Sequence, residues 1–340
     1  MRKTTMFVVV VLGLLGKTAS GQEPNKLPPA DKVAEYLQAI SVTIKAGGAE
    51  GSGTIKMRVI DGKPVSFIWT AAHVVDGLRT TKEIIDPKTG TKRTVVSFKD
   101  AEIVREAVED GRRVGESKMD ASVIRFSEEQ DLCLLRVLKR DFAKESVVFY
   151  LDPPIPPVGR DLYHVGSLLG QMGSNSLTPG IVSQIGRTLD KREYDQTTCT
   201  AFPGSSGGGV YLRDGRYVGM ITRGAGEGFN LMVPVRRLHR WAKAAGIEWA
   251  VDDKVKPPTE AELAKVPAED TGVSFGSGSK PEEPEPSSLR EYPYLIIRRV
   301  LGDESILRPT PAPPRPQPQT APDSEWDERD VPKPGRPAAC

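Results

Sequence analysis

The chain has 340 residues, of which 38% are apolar and 27% charged, with a net charge of +2. That is enough for one or two globular domains with a substantial core. Charges of both signs are scattered and no basic run is interleaved with aromatics, which excludes an electrostatic footprint for nucleic acid. The three histidines and three cysteines show no CxxC or HxxxH spacing, so neither a metal nor another cofactor is expected.

In chain order, residues 1–21 read as a secretory signal peptide: Arg2 and Lys3, an apolar run from Met6 to Leu15, then Ala19-Ser20-Gly21. Ten helical residues rise about 15 Å, half of what a bilayer core requires. Cleavage after Gly21 and a secreted or periplasmic location are expected, with an uncleaved membrane anchor as the alternative. Residues 22–35 form a Pro-rich, polar linker, with Asp31 as cap of a short helix from Lys32 to Ile40. In an oxidising compartment three cysteines cannot all pair within one molecule. Cys133 and Cys199 read as small buried hydrophobes in different halves of the fold, and Cys340 as free or joining two chains.

From Ser41 to Val235 short apolar segments are split by glycine. The expected strands are Ser41–Lys45, Thr54–Val59, Val65–Ala72, Thr94–Phe98, Ser122–Phe126, Leu132–Leu138, Leu162–Val165, Ile181–Ile185, Gly208–Leu212, Tyr217–Thr222 and Phe229–Val233. Strands at this spacing read as an all-β barrel or sandwich. The Pro-rich crossing Leu151-Asp-Pro-Pro-Ile-Pro-Pro divides them, so two six-stranded antiparallel barrels are the natural layout, about 36–150 and 156–235. The charged stretch Thr80–Gly115 reads as a long hairpin or loops. Val235–Ala245 is a basic amphipathic helix stopped by Gly246 and packed outside the second barrel, closing a body that spans 36–250. Residues 251–340 hold 17 of the 29 prolines and read as a largely disordered Pro-rich tail. Within it, Tyr292–Leu301 is either a docked element or a segment for a protein or surface partner.

Three motifs carry chemistry. His73 closes Thr70-Ala-Ala-His73, where small residues let the backbone pack before the imidazole turns out at the rim. Asp131 stands where a polar loop enters the buried strand Leu132-Cys-Leu-Leu-Arg-Val, a place where a carboxylate is desolvated yet still reaches a rim. Asp76, followed by Gly77, is its rival and suits a turn better. Ser206 lies within Gly204-Ser-Ser-Gly-Gly, whose glycines let the amides of Gly204 and Ser206 converge on one point. A base, an orienting carboxylate and a nucleophile are the parts that acyl transfer needs.

On these motifs the chain resembles the trypsin-like serine peptidases of the chymotrypsin fold, in their HtrA/Deg-like branch. Val158-Gly159 through Val165-Gly166, Pro179-Gly-Ile-Val-Ser183 and Gly51-Ser-Gly-Thr54 agree, and the match runs over about residues 36–246. The resemblance implies that Thr222 hydrogen-bonds Asp131 and that Arg223 and Gly224 pair with substrate backbone. It also puts Thr200 at the base of the primary specificity pocket and Asn230 to Met232 along a wall. With no acid at that base, apolar or small side chains are expected over Lys or Arg. Gly209 stands where the family commonly has proline, and the tail lacks the alternating strands expected of the PDZ domain that HtrA-like enzymes typically carry. The expected activity is that of an exported serine endopeptidase acting on polypeptides. The alternatives are a latent enzyme with a collapsed loop near Leu168–Asn175, a chaperone-like peptide binder, and an esterase.

Overall fold

The computed structural model describes residues 26–85, 92–109, 111–224 and 228–268. A 3-10 turn at Ala30–Lys32 leads into α1 (Val33–Ala39). Asp31 does not cap it: it sits inside the 3-10 turn, and neither turn nor helix has a side-chain cap. Burial of Val33, Tyr36 and Leu37 fixes the helix instead.

Two closed six-stranded antiparallel barrels follow, the arrangement of a chymotrypsin-like fold. The first contains β1 (Ser41–Ala46), β2 (Ala49–Ile60), β3 (Lys63–Thr70), β6 (Ala101–Glu109), β7 (Arg112–Ser127) and β8 (Leu132–Val137), in the order β1-β2-β3-β8-β7-β6. The second contains β9 (Asp161–Leu168), β10 (Gly173–Leu189), β11 (Arg192–Thr197), β12 (Gly209–Leu212), β13 (Tyr217–Gly224) and β14 (Asn230–Pro234), in the order β10-β11-β14-β13-β12-β9. Closure pairs every strand on both sides, removing the unpaired edges that invite aggregation.

Eleven segments are expected, and fourteen strands form among the described residues. β4 (Arg79–Ile85) and β5 (Lys92–Phe98) make a separate hairpin, so the expected Thr94–Phe98 strand lies outside both barrels. β6 and the outer halves of β7 and β10 escape the apolar pattern because they carry many polar, partly exposed residues, and β11 escapes it because most of what it buries is polar. In β11 the buried residues are largely polar. Asp195 takes a main-chain hydrogen bond from Gly186 at 2.9 Å and pairs with Arg236 at 2.7 Å.

The chain returns to the first barrel after the second is complete. α3 (Val235–Ala244) buries Leu238, Trp241 and Ala242, and Gly246 (φ +72°) ends it in the left-handed conformation that favours glycine. The sequence places this helix on the outside of the second barrel, and it lies there against β13 and β14. It also reaches the first barrel: Trp241 meets Trp69 of β3 edge-on at 5.9 Å, and Trp249 meets Phe67 at 4.9 Å. The Trp69 indole N–H donates to Ala250 O at 3.0 Å, which satisfies the one polar atom of a fully buried ring.

Residues 251–268, expected to belong to the disordered tail, are ordered against the first barrel. Asp253 sits between Lys56 (2.7 Å) and Arg58 (2.8 Å), and Arg58 also donates to Asp252 O and Val255 O. α4 (Glu260–Leu263) carries a capping box from Thr259 and Glu262. Its Glu260 reaches Arg136 at 2.6 Å, and Phe126 N–H donates to Ala268 O at 2.7 Å. Residues 1–21, expected to be a signal peptide, and residues 269–340, with Tyr292–Leu301 and Cys340, lie outside the described residues. Among the described residues no helix is long and apolar enough to cross a membrane.

Candidate active site

The strand expected to run to Ala72 stops at Thr70. Ala71 is extended, and Ala72–Val75 form a single helical turn, α2. Ala72, Val74 and Val75 are buried, which turns His73 outward with 48% of its side chain open to the junction between the barrels. The turn also aims the His73 main-chain N–H at Asp131 Oδ1, 3.1 Å away.

Asp131 enters β8 at φ +53°, a left-handed conformation that Asp tolerates better than bulkier residues. It is 7% exposed. Its Oδ1 lies 2.9 Å and its Oδ2 3.1 Å from His73 Nδ1, and Oδ2 accepts a short hydrogen bond from the Thr222 hydroxyl. A desolvated carboxylate needs such donors. Burial alone would raise its pKa, but the charge and hydrogen bond of His73 and the hydrogen bond of Thr222 hold it below the usual carboxylate value. Burial would lower the His73 pKa, and the charge and hydrogen bond of Asp131 outweigh that and hold it above the usual imidazole value. The carboxylate on the ring is that of Asp131; the rival Asp76 lies in the following 3-10 turn.

Ser206 reaches the same place from the second barrel. Its carbonyl accepts from Ser52 N–H at 2.7 Å. A Cβ on the next residue, Gly207 (φ +86°), would lie 2.2 Å from both Ser52 O and Thr70 Oγ1, so only glycine lets the two backbones approach this closely. Among the described residues the Ser206 hydroxyl makes no hydrogen bond, and the serine–imidazole contact is the one member of the set that is not made. Catalytic hydrogen bonds of this kind often tighten only when substrate is bound.

The amides of Gly204 and Ser206 are oriented by the carbonyls before them. Pro203 O accepts from Leu169 N–H at 2.8 Å, and Ser205 O from Gly208 N–H at 3.0 Å. In a trans peptide the N–H points opposite the carbonyl, so both amides face away from these bonds. Among the described residues neither donates to a protein acceptor. The 168–175 segment that supplies Leu169 is not loose. Leu169 holds φ +62°, Gln171 N–H donates to Glu50 at 2.8 Å, and Lys45 bonds the Gln171 side chain at 2.5 Å.

Of the other expected residues, Thr200 follows the buried Cys199 and gives its carbonyl to Thr178 Oγ1 at 3.0 Å. The Arg223 side chain turns to Asp190 (3.0 Å) and lies over the Tyr194 ring. On β13, Arg223 and Gly224 pair with Leu231 and Asn230 of β14. β12 begins at Gly209, opposite Met220, so beyond Ile221 that side of β13 carries no partner strand among the described residues. Asn230 is fully buried. Its Nδ2 donates to Cys199 O at 2.8 Å, and its unpartnered Oδ1 sits where a Cβ on Gly224 would be, 2.2 Å away.

The remaining titratable groups are structural. His164 is fully buried, bonded to Gly209 O at 3.0 Å and pushed down to about 4 by burial. Cys133 and Cys199 are free and buried, and burial pushes the Cys199 thiol up to about 11. Among the described residues the one group of metal-capable atoms is His239, Glu248 and Asp252, where His239 is already hydrogen-bonded to Glu248 at 3.1 Å. Sequence reasoning missed Ser52, although it lies within Gly51-Ser-Gly-Thr54.

Residues 51–220 match the family model of the trypsin-like peptidase domain. The chain belongs to that family. This trypsin-like peptidase is also similar to the "Serine protease Do-like HtrA" of Lactococcus lactis subsp. cremoris (strain MG1363) and of subsp. lactis (strain IL1403), at 30% identity over 115 residues in each case. Those segments cover 31% of this chain and 28% of the length of each relative. Among solved structures, the serine endoprotease from Yersinia pestis aligns at 17% identity and a TM-score of 0.46, covering 65% of this chain and 68% of that one. Deg5 aligns at 19% identity and a TM-score of 0.47, covering 65% and 95%.

Proposed function

We propose that this trypsin-like peptidase is an exported serine endopeptidase acting on polypeptides through an acyl-enzyme. Its peptidase body extends from 36–250 to take in the docked 251–268 segment, and the Pro-rich stretch after residue 268 serves a protein or surface partner. The observation that carries the reading is the His73–Asp131–Thr222 hydrogen-bonded set facing the Ser206 loop across the barrel junction. With Nδ1–H donated to Asp131, His73 presents Nε2 as a base. It takes the Ser206 proton as the hydroxyl oxygen bonds the scissile carbonyl carbon, and Asp131 stabilises the imidazolium. The carbonyl oxygen becomes an oxyanion and accepts from the Gly204 and Ser206 amides, each worth roughly 3 kcal/mol. His73 then gives its proton to the departing amine as the C–N bond breaks. Water, deprotonated by His73, hydrolyses the ester and restores Ser206. The side of β13 beyond Ile221, which has no partner strand among the described residues, suits an extended substrate, pairing with Arg223 and Gly224.

Replacing Ser206 by Ala should cut turnover by about a million-fold, and adding His73→Ala should lose little more, because the members act as a unit. A double variant far below the single one would break the shared mechanism. A second reading, a latent enzyme, draws on the missing Ser206–His73 hydrogen bond. A fluorophosphonate probe separates the two: rapid labelling of wild-type protein requires a formed site, and no labelling without a partner supports latency. Casein digestion set against a simple ester distinguishes peptidase from esterase. N-terminal sequencing of the exported protein checks cleavage after Gly21.

A further inference from the structure

Ser52 lies on β2 of the first barrel, 1% exposed. Each of its polar atoms is engaged at the Ser206 loop or beside it. Its N–H donates to Ser206 O at 2.7 Å, and its carbonyl accepts from Thr70 Oγ1 at 2.7 Å. Its Oγ lies 2.6 Å from Gly204 O and 2.7 Å from Ser167 N. The Ser167 N–H can only donate, so the single hydroxyl proton of Ser52 goes to the Gly204 carbonyl.

Gly204 holds φ +95°, and a Cβ there would lie 2.2 Å from Ser167 O. Glycine is required, and glycine leaves the flanking peptides free to rotate. Two bonds remove that freedom. Leu169 N–H fixes the peptide before Gly204, and the Ser52 hydroxyl fixes the one after it. Among the described residues Ser52 is the one side chain from outside the loop that bonds a carbonyl within residues 203–207.

We propose that the Ser52 hydroxyl is a positioning residue. It fastens the second barrel's oxyanion loop to the first barrel and sets the Gly204 amide relative to the Ser206 amide. The proposal rests on the peptidase reading above. Losing a hole donor outright costs about 10²–10³ in kcat, and a donor held loosely costs part of that. Ser52→Ala should therefore lower kcat on a peptide amide roughly 10- to 100-fold, with KM within about twofold of wild type. Affinity for a peptidyl boronate, whose tetrahedral adduct puts an oxygen in the hole, should fall by a similar factor. A purely structural role would lower the folded fraction without this split between kcat and KM, so thermal unfolding is recorded on the same samples. Should the Ala variant not fold, Ser52→Cys keeps the side-chain shape with a much weaker donor and is expected to behave alike. A folded variant with kcat within threefold of wild type, or one altered only in KM, overturns the proposal. If wild-type protein neither cuts casein nor takes a fluorophosphonate, the peptidase reading fails and this role with it. If wild type does both while the folded Ser52 variant keeps its kcat, the Ser52 role fails alone.

Discussion

Asp253→Ala tests whether the 251–268 segment holds the first barrel together. Lys56 is fully buried, with its Nζ 2.7 Å from Asp253, 3.2 Å from Val147 O and over the Phe149 ring. Removing one partner of a buried ion pair costs about 3–5 kcal/mol. Asp253 is 35% exposed and Lys56 keeps Val147 O, which points to the lower end. A loss of ~3 kcal/mol in a body of this size lowers Tm by about 6–12 °C, measurable by calorimetry at pH 7. Burial is the main influence on Lys56 and holds its pKa below the usual lysine value, with Asp253 partly offsetting it. Between that lowered pKa and the unfolded value of about 10.4, the unfolded chain carries a proton that the native one lacks. The contribution of Lys56 to stability therefore rises with pH through that window. Without Asp253 the pKa falls further, so the deficit of the variant should narrow as pH approaches 10. Adding Lys56→Met should restore part of the loss, since the other cation on Asp253, the buried Arg58, still donates to Asp252 O and Val255 O. A Tm drop under 2 °C, or a double variant no better than the single, would refute the reasoning.

Because Asp131 holds the His73 pKa above the usual value, kcat/KM should rise with pH through a midpoint above about 6.5, where the imidazole becomes neutral; a flat profile from pH 6 to 8 argues against an imidazole base. Asp131→Asn should cost about 10⁴ in kcat by presenting the wrong tautomer, read from peptide hydrolysis. Thr222→Val leaves Asp131 Oδ2 without its hydroxyl donor and should lower kcat several-fold while raising the Asp131 pKa, seen by NMR titration of the His73–Asp131 pair. Asn230→Gly empties the space below Gly224, and library profiling should show larger apolar residues accepted on the acyl side of the cut bond. Neither Cys133 nor Cys199 should be alkylated by iodoacetamide in the native protein, as peptide mapping would report; both should react after unfolding.

The barrels were legible where apolar residues cluster: β1, β8, β12 and β14 were placed within about two residues of their observed ends. Where a polar residue is buried by pairing, as Asp195 is with the partly exposed Arg236, hydropathy has nothing to read. The outer arms of β7 and β10 are held by main-chain ladders between exposed side chains, so their length left no apolar trace. The same holds for 251–268, whose polar composition hid Asp253 and Glu260, both engaged by basic residues of the first barrel. At the site, the structure brings Asp131 next to His73 and Thr222 onto Asp131. The helical turn at His73, the left-handed Asp131 and the bonds of Ser52 were not legible in the sequence. The first two are local backbone turns that carry no apolar period, and the bonds of Ser52 form only where the two barrels meet, which no local stretch of sequence encodes.

The return of residues 251–268 to β2, β7 and β8 bears on how the chain matures. Synthesis proceeds from the N-terminus, and domains generally fold in that order. Here Lys56 and Arg58 gain Asp253 only after the second barrel has been made. A ribosomal product interrupted before that point would hold Ser206 and His73 with its first barrel unclasped, so an incomplete copy is poorly placed to become a stray hydrolase.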